Sequence, residues 1–151
     1  MQLVEYISKN EADTVALARM LALKAPKTAI YTLKGTLGMG KSVFARGFIR
    51  TLMGGEVEVP SPTFTLVQHY EAPQTEIWHF DLYRIEDPQE IYEIGWEEAA
   101  INGISLIEWS ERLGDILPDH HIEIAFEPLE KSARKIMVSA PDELLEYVNG
   151  L

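Results

Sequence analysis

A glycine-rich octapeptide that ends in lysine and serine constrains this chain more than any other feature. Residues 35–42 read GTLGMGKS, which matches the phosphate-binding pattern of glycine, four free positions, glycine, lysine and serine or threonine. The glycines let backbone N–H groups approach phosphate oxygens without a Cβ in the way, and the start of a following helix adds partial positive charge. The pattern predicts that Lys41 reaches the β- and γ-phosphates and that the Ser42 hydroxyl binds magnesium.

The flanking segments have the character that this motif requires. Thr28 to Lys34 is a short, apolar and β-branched run typical of a buried strand. Val43 to Met53 places apolar residues on one helical face, and two glycines follow it. Strand, loop and helix therefore occur in the expected order. The alternative is a structural turn that binds nothing, but such a turn has no need of Lys41 and Ser42.

Composition narrows the class of protein. The chain has 151 residues and we expect a single domain, residues 1–151. It has no cysteine, which excludes a thiol nucleophile, a cysteine-bound zinc and an iron–sulfur cluster. Because no apolar run reaches the roughly 18 residues of a membrane span and the N-terminus is no secretory signal, we expect a cytoplasmic protein without membrane contact.

The charge balance argues against direct nucleic-acid binding. Acidic residues outnumber basic ones by 24 to 13, for a net charge of −11, and such a surface repels a polyanion. Most of these acids are expected to be solvated surface residues. A docking face for a basic partner is the alternative.

The rest of the sequence alternates between strand and helix patterns. We expect strands over Met1–Ser8, Ile104–Trp109, 121–126 and 134–139, a hairpin of 63–70 with 75–83, and helices over 11–25, 87–100 with a break at Gly95, and 141–148. This order predicts an α/β fold of three layers, with a mixed, partly parallel sheet and a β-hairpin insertion.

A nucleoside-triphosphate site of this kind needs a carboxylate at the end of a strand beside the phosphate loop. Glu108 ends the apolar run from Ile104 and is the better match to a buried parallel strand, whereas Asp81 ends a run on the hairpin. Either could instead be a solvated strand-end carboxylate.

Further candidates surround these acids. Thr63 and Thr65 could bind magnesium or become ordered by triphosphate, or simply begin a strand. Arg84 could face phosphate, a partner's acid or a surface ion pair, and Trp109 could pack near the nucleotide or in the core. For His79, a hydrogen-bonded structural role is favoured over a metal site.

With these segments placed, the chain resembles the TsaE family. The matching blocks are GTLGMGKS at 35–42, SPTFTLV at 61–67, HFDLYR at 79–84 and IEWSERLGDILP at 107–118. The resemblance implies a P-loop ATPase of tRNA threonylcarbamoyladenosine biosynthesis that acts with the TsaB and TsaD proteins. ATP is the implied substrate and Mg²⁺ the implied cofactor.

The resemblance also assigns roles by position. Lys41 binds phosphate, Ser42 and Glu108 bind magnesium, Asp81 is needed for hydrolysis, and Thr63 and Thr65 belong to a switch-like loop. The nucleotide-binding residues that it implies are Gly35, Gly38, Met39, Gly40, Lys41, Ser42 and Val43, with Asn10, Glu11 and Arg134 near the nucleoside. Thr36, Met39 and Ser42 depart from the residues usual in the family, and Met39 could crowd the loop or cover the nucleotide.

Two other functions fit the phosphate loop. A small-molecule kinase usually needs a lid and an acceptor site with several arginines, and this chain has no insertion large enough for them. A nucleotide switch without significant turnover would bind ATP only to change how the protein docks.

Overall fold

Every strand of the described part of the chain belongs to one sheet. The computed structural model describes residues 2–36 and 40–151. It contains a seven-stranded sheet in the order β1-β7-β6-β2-β5-β4-β3. The strands are β1 (Gln2–Ser8), β2 (Ala29–Lys34), β3 (Val67–Glu71), β4 (Glu76–Asp81), β5 (Gly103–Glu108), β6 (Ile122–Pro128) and β7 (Arg134–Ala140).

The strand that precedes the phosphate loop lies in the middle of the sheet. β2 is parallel to β5 on one side and to β6 on the other, and β4 is parallel to β5. The pairs β1–β7, β6–β7 and β3–β4 are antiparallel. A central β2 explains its apolar sequence, because a strand with neighbours on both edges and layers on both faces is buried. The mixed, partly parallel sheet is therefore as predicted.

Helices cover both faces of this sheet. The α-helices are α1 (Glu11–Lys24), α2 (Lys41–Met53) and α3 (Trp96–Asn102), and 3₁₀ helices span Pro88–Ile94, Ser110–Ile116 and Asp142–Tyr147. Gly95 takes a φ of 96° and separates the first 3₁₀ helix from α3, which confirms the predicted break. None of the helices in the described residues has the length and apolar character that a membrane crossing requires.

The core is divided into two clusters by the sheet. One cluster packs α1 and α2 against the sheet through buried residues that include Leu17, Phe44, Phe48, Tyr31 and Leu106. The other lies beneath α3 and the neighbouring 3₁₀ helices and includes Trp78, Phe80, Trp96, Ile107 and Leu113. The three predicted layers are thus present. Since successive strand residues face opposite sides, the residues that follow Phe80 and Ile107 point towards α1 and α2.

The first hairpin strand is shorter than the sequence predicts. The strand expected from Thr63 begins only at Val67. Leu66 has a φ of 70° and its N–H donates to the Pro62 carbonyl oxygen at 2.7 Å, which closes a turn in place of extended chain. The alternation of apolar and polar residues did not reveal this turn.

Two further differences concern short helices. Ser110–Ile116 forms a 3₁₀ helix that the sequence did not predict, directly after Trp109 with its left-handed φ of 61°. The predicted last helix is a 3₁₀ helix as well. Both segments are too short for apolar periodicity to distinguish one helix type from the other.

Candidate active site

The phosphate loop leads directly into α2. Gly40 has a φ of 102°, a left-handed conformation that glycine adopts without strain, and α2 begins at Lys41. No side chain of the described residues caps this helix, so the N–H groups of its first turn are suited to anionic oxygens. Gly38 and Met39, which the resemblance assigns to nucleotide binding, lie outside the described residues.

A buried lysine and a buried glutamate face each other at the start of α2. Lys41 Nζ lies 3.9 Å from Glu108 Oε1, and the two side chains are 8% and 9% exposed. A lysine and a carboxylate are rarely this buried unless they are paired. Glu108 ends β5, which lies beside β2, so the strand pairing brings the acid under the loop.

Glu108 has a second partner that the sequence did not indicate. His79 Nε2 lies 2.9 Å from Glu108 Oε2, and the histidine is 2% exposed. His79 Nδ1 is buried and has no hydrogen-bond partner among the described residues. The prediction of a hydrogen-bonded histidine is confirmed, but its partner is the candidate metal ligand.

Asp81 stands beside Glu108 in the register of β4 and β5. Its Oδ2 accepts a hydrogen bond from Thr63 Oγ1 at 3.1 Å, and its Oδ1 accepts one from the Tyr83 backbone N–H at 3.0 Å. The buried carboxylate is therefore fixed in orientation. Like Glu108, Asp81 ends a strand with a parallel neighbour. The sequence had indicated only its position on the hairpin.

The loop before β3 is tied to Asp81 through one of its two threonines. Thr63 also shares a 2.7 Å hydrogen bond with Ser61 Oγ. Thr65 instead accepts a hydrogen bond from Gln68 Nε2 at 2.9 Å and is exposed. Of the two candidates, only Thr63 contacts an acid of the site.

One cleft gathers most of the predicted nucleotide-binding residues. It has a volume of about 530 Å³ and is lined by Ser8, Asn10, Glu11, Thr14, Gly40, Lys41, Ser42, Val43, Glu108, Ser132 and Arg134. Gly35 lies with Lys41 and Trp109 in a smaller adjoining cavity of about 80 Å³. Asn10, Glu11 and Arg134, which motif and spacing alone did not connect to the loop, thus share its cleft.

Pairing of the outer strands explains how distant segments meet there. Ser8 of β1 is the register partner of Arg134 of β7. Asn10 then caps α1, its side-chain oxygen accepting the Asp13 N–H at 2.9 Å. Ser8 Oγ and Thr14 Oγ1 are buried and hydrogen-bonded at 2.7 Å, which fixes the turn between β1 and α1. Ser8, Thr14 and Ser132 carry no motif, and sequence reasoning missed them.

Trp109 and Arg84 each contact an aromatic side chain. Trp109 is half-buried, with its ring centroid 5.8 Å from Lys41 Nζ and 4.9 Å from the Tyr83 ring. The tryptophan thus lies beside the phosphate loop, where it also packs against the second core cluster. The Arg84 guanidinium lies 4.5 Å from the Phe64 ring centroid, a cation–π contact in place of the surface ion pair considered above.

These features define a P-loop NTPase fold. The fold is similar to that of a solved structure: the crystal structure of Bacillus subtilis YdiB superposes with a TM-score of 0.79 at 24% identity, over 97% of this chain and 91% of that one. A family model described as threonylcarbamoyl adenosine biosynthesis protein TsaE matches residues 8–136. The chain belongs to the TsaE family.

Two relatives from different bacteria agree with this assignment. The tRNA threonylcarbamoyladenosine biosynthesis protein TsaE of Rickettsia felis is 38% identical, over 95% of this chain and 86% of the relative. The protein of that name from Bacillus subtilis is 32% identical, over 93% of this chain and 87% of the relative. The resemblance stated from four sequence blocks is confirmed.

Proposed function

We propose that the chain hydrolyses ATP to ADP and phosphate in a magnesium-dependent reaction. In this proposal it acts in the cytoplasm with TsaB and TsaD, in the threonylcarbamoyladenosine modification of tRNA. The observation that carries the proposal is the buried Lys41–Glu108 pair at the uncapped start of α2, inside a cleft that also contains the Ser42 hydroxyl.

Lys41 is the side chain that would bind the phosphates of ATP. Its ammonium lies in a largely buried setting, where electrostatic attraction to phosphate oxygens is stronger than in bulk water. Phosphoryl transfer leaves little covalent work to the protein, so positioning and neutralisation of charge supply most of the catalysis. Together with the N–H groups of the first turn of α2, Lys41 would hold the β- and γ-phosphates.

The chemistry of the available donors fits magnesium. Mg²⁺ prefers oxygen ligands and usually keeps several waters. The exposed Ser42 hydroxyl and the Glu108 carboxylate line the same cleft, and Asp81 stands beside Glu108 in the sheet. Ser42 and Glu108 would therefore hold a hydrated ion. When bound, the ion neutralises charge on the β- and γ-phosphate oxygens.

Asp81 is suited to orient the attacking water. The bonds from Thr63 and the Tyr83 N–H hold both carboxylate oxygens in place and leave lone pairs that can accept a hydrogen bond from water. The water oxygen would bond to the γ-phosphorus while the bond to the bridging oxygen of ADP breaks. Because the Thr63 bond joins Asp81 to the loop at residues 61–66, displacement of this loop would disturb the water.

We expect slow turnover by the chain alone and faster turnover in the presence of its partners. Hydrolases of this class are often accelerated by an arginine supplied by another protein. The test compares phosphate release by the chain alone and after addition of TsaB and TsaD. Equal rates in the two mixtures would reject the partner dependence.

A Glu108→Ala variant separates an enzyme from a nucleotide switch. Loss of hydrolysis with ATP and partner binding retained supports the enzyme. If the unaltered protein releases no phosphate in the full mixture but still binds ATP, the switch is correct instead. Appearance of a phosphorylated small molecule would favour the kinase.

A further inference from the structure

A second groove runs along the outer side of α1 and α2, next to the cleft that holds Lys41. Its volume is about 690 Å³, and it shares Glu11 and Val43 with that cleft. The two helices approach closely at Gly47, where an added Cβ would lie 3.3 Å from the Ala18 Cβ. The side chains that form the two walls include Glu11, Val15, Arg19 and Leu23 of α1 and Arg46 and Arg50 of α2.

The groove concentrates positive charge on an acidic protein. Its three arginines are part of only 13 basic residues in a chain of net charge −11. Arg50 donates from Nε to the Val57 carbonyl oxygen at 3.0 Å and lies 3.6 Å from Glu56. Arg19 and Arg46 have no ion pair with any described residue. Two guanidinium groups on facing walls are therefore available to carboxylates of a partner.

The wall formed by α1 is also unusually apolar for a helix on a protein surface. Val15 and Leu23 are 40% and 65% exposed, and they lie one helical turn before and after Arg19. A surface helix normally has polar residues on the side away from the core. An exposed apolar and basic stripe of this kind is typical of a protein–protein contact, in which arginine and apolar residues are enriched.

The charge pattern favours a protein over a nucleic acid. The arginines lie between acidic residues, with Glu11 at one end of the groove and Glu56 at the other. A phosphate backbone that ran along the groove would be repelled by a carboxylate at each end. The apolar side chains of Val15 and Leu23 would not stabilise its negative charge. A folded protein can instead place a short acidic patch opposite the arginines and apolar side chains beside it.

We propose that the groove defined by Arg19, Arg46 and Leu23 docks an acidic, partly apolar surface of a protein partner. The inference rests on the proposed function, in which TsaB and TsaD are the partners. Docking there would contact α2, which also carries Lys41 and Ser42 at its first turn. It would therefore place the partner on the same helix that holds the phosphate loop.

The test is titration calorimetry of the full chain with a mixture of TsaB and TsaD, at low and high salt. Arg19→Glu combined with Arg46→Glu should weaken binding about tenfold or more, because like charges then face each other across the contact. Lysine at both positions keeps the charges and should retain most of the affinity. Lys27→Glu makes one such charge reversal at an exposed site elsewhere and should stay close to the unaltered protein.

Further measurements show that any loss arises at the groove. Melting temperature and ATP affinity of the double variant should match those of the unaltered chain. If the double variant melts early, Leu23→Ser supplies the test, since that side chain is largely exposed.

Each result decides between specific alternatives. Equal binding by the unaltered chain and the glutamate variant overturns the groove assignment and leaves the proposed function standing. No binding by the unaltered chain rejects the partnership, and this inference with it. If labelled tRNA binds the unaltered chain and the glutamate substitutions abolish that binding, the occupant is a nucleic acid and the protein assignment is wrong.

Discussion

The inner and outer walls of the nucleotide cleft are built in different ways. The inner wall consists of buried groups near the ends of the adjacent strands β4 and β5 and at the start of α2, where Lys41 and His79 each contact Glu108. The outer wall contains the exposed Asn10 and Glu11, at the start of α1, and the half-buried Arg134, at the start of β7. The inner groups are buried and held by contacts with one another, whereas the outer side chains are more exposed to solvent. Substitutions in the inner wall should therefore change the rate of hydrolysis, and those in the outer wall mainly nucleotide affinity.

The largest effect is expected from Lys41→Ala. Saturating Mg-ATP at about 100 times its dissociation constant should stabilise the unaltered protein by about 2.7 kcal/mol. The variant should lose most of this stabilisation, and its turnover should fall by a factor of about 10³ because a charge that contacts the transferred phosphate is gone. Thermal scans with and without Mg-ATP, together with phosphate release, measure both effects.

Lys34→Ala is the matched control for this substitution. Lys34 ends β2, is 42% exposed and pairs with Glu123 at 2.9 Å. Its removal should leave stabilisation by ATP unchanged. Equal stabilisation of the Lys41 variant and this control would show that the buried lysine does not bind nucleotide.

Glu108→Gln should separate chemistry from binding within the inner wall. The amide keeps the volume of the carboxylate but loses its negative charge, so we expect turnover to fall about 100-fold, within the usual range for loss of one electrostatic contact. ATP affinity in the absence of magnesium should change little, because Lys41 remains. Single-turnover hydrolysis measures the rate, and magnesium titration measures the metal requirement. If the variant depends on magnesium as the unaltered protein does, Glu108 is not a metal ligand.

His79 should act through Glu108 and have a smaller effect. A partner that orients a metal-binding carboxylate typically contributes about 10-fold to 100-fold in affinity for the metal or in activity. His79→Leu removes the 2.9 Å contact with Glu108, so kcat should fall and the magnesium requirement should rise, with KM for ATP nearly constant.

The polar replacement His79→Gln distinguishes this role from a purely structural one. Its amide can still donate to Glu108, so it should recover part of the lost turnover. If the Leu and Gln variants have equal kcat values and differ only in melting temperature, His79 serves packing alone.

The contrast between the walls also explains what could be predicted from the sequence. Lys41 and Ser42 follow from a local motif, and Glu108 and Asp81 follow because acids at the ends of parallel strands collect at one edge of a sheet. The His79–Glu108 contact depends on the register between β4 and β5, and no local pattern specifies it.

The residues of the outer wall were harder to predict from the sequence for a related reason. Its geometry arises where Ser8 of the edge strand β1 pairs with Arg134 of β7, between segments from opposite ends of the sequence. The resemblance to a family identified Asn10, Glu11 and Arg134, while Ser8, Thr14 and Ser132 stayed unrecognised. The overall fold was easier, because strand and helix patterns depend on local periodicity. The start of β3 and the 3₁₀ helix Ser110–Ile116 were exceptions, since the left-handed conformations of Leu66 and Trp109 have no sequence signature.

The smallest effect, and the one that tests the outer wall directly, is expected from Arg134→Ala. The side chain lines the cleft and donates to the Ala133 carbonyl oxygen at 2.9 Å. Loss of a single half-buried hydrogen-bonding group is worth about 1 kcal/mol, which corresponds to roughly fivefold in affinity. We therefore expect KM for ATP to rise severalfold with kcat unchanged.

Lys135→Ala is the matched control, because its side chain points to the opposite face of β7 and pairs with Glu5 at 3.3 Å. A fall in kcat without a change in KM would place Arg134 with the inner wall and erase the distinction between the two walls.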